Sequence, residues 1–174
     1  MILLAVDVQK GIINDDLYAC DMFLDRVAQL IDAARKNNVE VIYVQHDDGP
    51  GSGFSIGDED FEIADRAAPL KGEKVFTKTV CSSFSNKELA AYLEQQEDRR
   101  LMIVGLQTDF CIDATVKSAF ERGFKALIPE GTNSTFGNDY MSGETAVRYY
   151  NEFVWPGSFA ECMPFEEALE KLCR

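Results

Sequence analysis

Three residues of this 174-residue chain carry groups that together can cleave a carbonyl compound: Asp7, Lys78 and Cys111. A free thiol has a pKa of about 8.5 and is mostly protonated at neutral pH, so a nucleophilic cysteine needs a nearby cation or a helix N-terminus. Cys111 has a candidate for each, in Lys78 and in the helix that opens around residue 109. Asp7 can take the thiol proton and later return it to a departing amine, work that histidine does in other thiol enzymes. The single histidine, His46, ends a strand-like run. A Cys–His pair built on it would leave Asp7 and Lys78 without a task, so His46 is read as a hydrogen-bonded residue lining the cleft.

These residues are useful only if the chain brings them together. Apolar, β-type runs occupy residues 2–8, 39–45, 74–78, 101–105 and 125–129, with a weaker one at 159–163. Helical spacing fills the intervals at 23–36, 109–122, 143–153 and 165–173, and Ser85-Asn86-Lys87-Glu88 reads as a capping box opening another helix. Strands that are apolar throughout are buried on both faces. With the alternating βα order they predict a parallel α/β/α sandwich formed by one domain over residues 1–174. In such sheets ligands sit beyond the carboxyl ends of the strands, where Asp7, Lys78 and Cys111 all fall. The glycine-rich stretch 47–57 is a long loop of the kind that is commonly functional.

Composition removes several classes. Seventeen Lys and Arg against thirty Asp and Glu give a net charge of -13, and no basic patch stands out, so neither nucleic acid nor an anionic membrane is an expected partner. The five cysteines are odd in number and form no C-x-x-C pair, against both a disulfide framework and a cysteine zinc site. With one histidine besides, no metal and no other cofactor is expected. The first residues lack a basic n-region and a long apolar core, which leads to the expectation of a cytoplasmic protein.

Asp7-Val8-Gln9, Lys78-x-x-x-Ser82-x-Phe84 and Gly105-Leu106-Gln107-Thr108-x-x-Cys111-x-x-x-Thr115-x-x-x-Ala119-x-x-x-Gly123 together resemble the isochorismatase-like cysteine hydrolases, a superfamily that includes nicotinamidases and N-carbamoylsarcosine amidase. The resemblance implies a six-stranded, mainly parallel sheet in the order 3-2-1-4-5-6 and a catalytic triad of Asp7, Lys78 and Cys111. It implies a cis peptide between Leu106 and Gln107, an oxyanion hole from the N–H groups of Gln107 and Cys111, and a homo-oligomer. The chain departs from the pattern at Ile12, where an aromatic is common, and at Glu130-Gly131, where many members have Asp-Ala. The nicotinamidase metal needs several histidines, so nicotinamide is not the expected substrate. True isochorismatases lack the nucleophilic cysteine.

The reading is a metal-independent cysteine hydrolase that cleaves the C–N bond of a small amide or carbamoyl compound through a thioester. Gln9, His46, Phe54, Phe84 and Phe110 are the candidate substrate-pocket residues. Cys111 is expected to have the lowest pKa of the five thiols, with Asp109 and Asp113 turned to solvent. Two rivals are a non-catalytic binding or regulatory protein on the same fold and a redox sensor using Cys111 with Cys81.

Overall fold

The computed structural model describes residues 1–173. Seven strands form one sheet: β1 (Ile2–Val6), β2 (Glu40–His46), β3 (Lys74–Lys78), β4 (Arg100–Leu106), β5 (Lys125–Pro129), β6 (Asn133–Ser134) and β7 (Ala160–Met163). Their order is β3-β2-β1-β4-β5-β7, every pairing is parallel, and β6 pairs with the end of β4. This is the expected order, with the two-residue β6 added; that segment is too short for an alternation pattern to show.

The period-two geometry of a strand explains why these runs are apolar throughout. In β1, Leu3 and Ala5 face one core and Ile2, Leu4 and Val6 the other. The first core is closed by α1 (Cys20–Lys36), through Phe23, Val27, Leu30, Ile31 and Ala34, and by α5 (Phe165–Leu172). The second is closed by Leu89 and Leu93 of α2 (Lys87–Glu94), by Val116 and Ala119 of α3 (Asp113–Glu121), and by the fully buried Trp155. Both faces of the sheet are therefore covered. The remaining helix, α4 (Gly143–Tyr149), is capped by the Ser142 hydroxyl, which accepts from Thr145 N.

Local chemistry shifts three boundaries. The cap of α2 is Asn86, whose side chain accepts from Leu89 N at 3.0 Å, so the expected box at Ser85 is displaced by one residue and Ser85 ends a short 3-10 turn. The helix expected from residue 109 begins as a π-helical turn, Thr108–Ile112, that runs into α3. β1 stops at Val6 because Asp7 adopts a left-handed φ of 52°, although Asp7 N still donates to Val44 O at 2.8 Å. Among the described residues no helix is long and apolar enough to cross a membrane.

Candidate active site

The three strand ends converge at one corner. Asp7 follows β1, Lys78 ends β3, and Cys111 stands in the turn after β4; β1 lies between β4 and β2, with β3 beyond β2. Close approach at this corner requires Gly105 opposite Val6, since a Cβ there would overlap the Val6 carbonyl. Lys78 Nζ is the centre of the cluster: it donates to Asp7 Oδ2 at 2.7 Å, to His46 Nδ1 at 3.0 Å and to Cys111 Sγ at 3.3 Å. An ammonium has three protons, and these three acceptors use all of them. Its side chain is 0% exposed and that of Asp7 1%.

Burial dominates the electrostatics. It raises the Asp7 pKa although Lys78 pulls the other way, and Asp7 Oδ1 is buried with no hydrogen-bond partner. Burial also pushes the Cys111 thiol up, the Asp7 charge adds to that, and Lys78 opposes both. The expectation of a depressed Cys111 pKa is thereby overturned: the cysteine is half-buried and has an anion as well as a cation beside it. The expectation for Asp113 also fails. Its carboxylate accepts from Trp155 Nε1 at 2.9 Å and from Lys117 at 2.6 Å, while Asp109 accepts from Thr135 Oγ1 at 2.6 Å.

The peptide between Leu106 and Gln107 is cis. The Gln107 carbonyl accepts the N–H groups of Phe110 and Ile112, both at 3.1 Å, and so passes over that of Cys111. Thr135 Oγ1 holds the Gln107 side chain at 3.2 Å, and Thr108 Oγ1 donates to Asn133 Oδ1 at 2.8 Å, which ties the turn that carries Cys111 to β6.

An isochorismatase domain model matches residues 1–159. The chain belongs to the isochorismatase family. An isochorismatase family protein from Bacillus subtilis, YrdC, is 31% identical over 114 residues, which are 65% of this chain and 61% of that one. The ureidoacrylate amidohydrolase RutB of Agrobacterium fabrum is 25% identical over 158 residues, covering 74% of this chain and 69% of RutB. The crystal structure of an isochorismatase family protein superposes with a TM-score of 0.84 at 28% identity, over 93% of this chain and 96% of that one. The chain thus spans about three-fifths of the length of YrdC.

On this isochorismatase-family fold the corner that holds Asp7 and Cys111 opens into a cleft of about 560 Å³. His46, Phe54 and Phe110 line it as expected for pocket residues, together with Asp7, Gln107 and Cys111. Two expected pocket residues do not. Phe84 is 5% exposed and packs on Phe124 in the core, because its turn folds back over the sheet. Gln9 is fully buried: its amide donates to the carbonyls of His46 and Phe61 and its Oε1 accepts from His46 N, so it pins the end of β2. Leu106 is also fully buried and acts on the cleft only through its backbone.

Gly11, Ile12, Asn14, Asp48, Cys81 and Phe136 also line the cleft. Asp48 lay within the glycine-rich loop that the sequence flags, whereas Phe136 carries no local signal, since the short β6 brings it there. Gly11 has a steric reason: an added Cβ would come within 2.7 Å of Asp60 Cβ and 2.9 Å of the Phe54 ring.

Asp7, His46 and Cys111 offer one ligand atom each within 4.8 Å of one another, the set a metal would need. The Lys78 ammonium already bonds to all three residues, so a metal ion would meet a positive charge at the centre of its own shell. The donor set does not fit a metal while Lys78 is protonated.

Proposed function

We propose that this chain is a cysteine amidohydrolase acting on a small amide or carbamoyl compound without a metal. The observation that carries the reading is the buried Lys78 Nζ bonded to both Asp7 and Cys111, two residues that line an open cleft. The amidohydrolase RutB among the relatives supports the same class of chemistry.

The resting pair is a Cys111 thiol beside an Asp7 carboxylate, as burial and the Asp7 charge disfavour the thiolate. Sγ attacks the carbonyl carbon while Asp7 accepts the thiol proton, so the negative charge moves from Asp7 to the oxyanion and the net charge around Lys78 does not change. The N–H groups of Gln107 and Cys111 are the donors assigned to that oxyanion. The C–N bond breaks as Asp7 passes its proton to nitrogen, releasing the amine or ammonia and leaving an acyl thioester. Water, deprotonated by Asp7, attacks the thioester; the C–S bond then breaks, Asp7 passes the proton to the departing sulfur, and the carboxylic acid product leaves with the Asp7 carboxylate and the Cys111 thiol regenerated. Lys78 keeps Asp7 and Cys111 in register throughout.

A screen of small amides and ureido compounds with ammonia detection tests the class, with Cys111→Ala as the control and circular dichroism to confirm folding. Turnover is expected to survive extended chelation by EDTA. Residual Cys111→Ala activity within tenfold of the parent would remove Cys111 as nucleophile, and loss on chelation with recovery on added zinc would overturn the metal-free mechanism.

A further inference from the structure

The charge on the cleft wall narrows the substrate. Every proton of the Lys78 ammonium is committed to Asp7, His46 or Cys111, and its side chain is 0% exposed, so it offers nothing to a distal carboxylate. Among the described residues no lysine and no arginine lines this cleft. Lys10, a lysine just after β1, is engaged by Glu62 at 2.7 Å and Asp65 at 3.5 Å.

Both ring nitrogens of His46 are engaged. Its Nδ1 accepts from Lys78, which leaves the ring proton on Nε2, donated to Asp48 Oδ1 at 3.1 Å. Asp48, with its side chain 57% exposed, is then the charged group at the rim. Its backbone N–H, bonded to Phe54 O at 3.0 Å, fixes it where the glycine-rich loop folds back. Three aromatic rings, Phe54, Phe110 and Phe136, also face the cleft and favour a cation over a carboxylate, and apart from Asp7, His46 and Asp48 only neutral residues stand beside them, among them Asn14 and Gln107. The net charge of -13 acts in the same direction at longer range.

We propose that the cleft selects amides whose distal group is cationic or neutral and rejects carboxylate-bearing ones, with Asp48 as the residue that sets this preference. The substrate part of the proposal rests on the amidohydrolase reading; the charge preference of the cleft does not. A unit charge within a few ångströms of Asp48 at the surface changes affinity by about tenfold.

Two measurements separate these parts. In full-length protein carrying Cys81→Ser, the rate at which Cys111 reacts with trimethylammonioethyl and sulfonatoethyl methanethiosulfonate is mapped by mass spectrometry and normalised to 2-mercaptoethanol. The cationic reagent is expected to be favoured about tenfold. Asp48→Asn, which still accepts from His46, should cut that preference severalfold, whereas Glu121→Gln, at the far end of α3, should leave it unchanged. A normalised ratio near one, or equal effects of the two variants, would overturn the proposal. In parallel, kcat/KM for 4-aminobutanamide, pentanamide and succinamate is expected to fall in that order in the parent and to converge in Asp48→Asn. Turnover that favours succinamate overturns the charge preference and leaves the hydrolase intact. A tenfold reagent preference that Asp48→Asn abolishes, with none of the three amides hydrolysed, upholds the charge preference and counts against the amidohydrolase reading alone.

Discussion

Two clefts in the molecule each contain a cysteine, and they differ in what surrounds it. The first, described above, has Cys111 on its wall with Asp7 and Lys78 beside it. The second, of about 440 Å³, lies where the start of α1, the ends of β5 and β7 and α4 meet, and holds Cys162. Its arginines are engaged by neighbouring groups of the same cleft. Arg26 donates to Glu130 O at 2.8 Å and stacks 5.0 Å from the Phe165 ring centre, and Arg148 pairs with Glu152 at 3.0 Å. Burial alone pushes the Cys162 thiol up to about 11. Burial also leads the shift at Cys111, so size and desolvation do not separate the clefts. What separates them is the buried Asp7–Lys78 pair, whose ammonium donates to the Cys111 sulfur. A helix start and a cavity beside a cysteine are common; a buried Asp–Lys pair facing it is not.

The largest test of this contrast is turnover. On whichever amide the ammonia screen selects, Cys111→Ala is expected to lower kcat by about 10³-fold or more, whereas Cys162→Ala should stay within about twofold. Comparable losses in the two variants would mean that the clefts are not functionally distinct.

Stability gives the next effect. Lys78→Met leaves the Asp7 carboxylate buried beside no cation, and removing one partner of a buried pair lowers stability by about 3–5 kcal/mol near neutral pH. Without Lys78 the folded-state pKa of Asp7 rises still further above its unfolded value. The deficit should therefore be full above the folded pKa, shrink as pH falls through it, and vanish below the unfolded value. Denaturant midpoints between pH 4 and pH 8 measure it, and a deficit that does not change with pH would place the damage in packing instead. The double variant Asp7→Asn/Lys78→Met should recover part of the loss, because no charge is left unpaired.

Thiol reactivity is the finest test, because it separates acidity from catalysis. The Asp7 charge raises the Cys111 pKa and Lys78 lowers it. Asp7→Asn should therefore speed iodoacetamide labelling of Cys111 at pH 7, by about tenfold for each pKa unit recovered, even as it stops turnover. Lys78→Met should slow the labelling, and Cys162 should not respond to either change. Mass-spectrometric mapping gives each rate; slower labelling in Asp7→Asn would show that Asp7 assists the thiolate in the resting protein rather than opposing it.

Strand runs read from the sequence located six of the seven strands, because a strand buried on both faces is apolar at every position, whereas their order came from the family resemblance. The π-helical turn at Thr108–Ile112 was not legible, since residues such as Thr, Asp, Phe and Cys suit an α-helical or a π-helical turn alike. At the site, Asp7, Lys78 and Cys111 were legible from residue type and strand-end position, and the structure brings them together. Gln9 and Phe84 were misassigned for one reason: a polar or aromatic residue next to a motif reads the same whether it faces the cleft or braces it. Only neighbours distant in sequence, the His46 and Phe61 backbone for Gln9 and the Phe124 ring for Phe84, decide between the two.

The sequence by itself determined where six strands lie and which residues, Asp7, Lys78 and Cys111, carry groups able to react at their ends, because hydrophobic periodicity and side-chain type are local properties. Only the tertiary structure decided the protonation of the thiol and the charge of the cleft. Burial, the three acceptors that exhaust the Lys78 ammonium, and the fold of the glycine-rich loop that sets Asp48 at the rim are distances between residues far apart in the chain. A pKa responds to those distances and not to sequence neighbours.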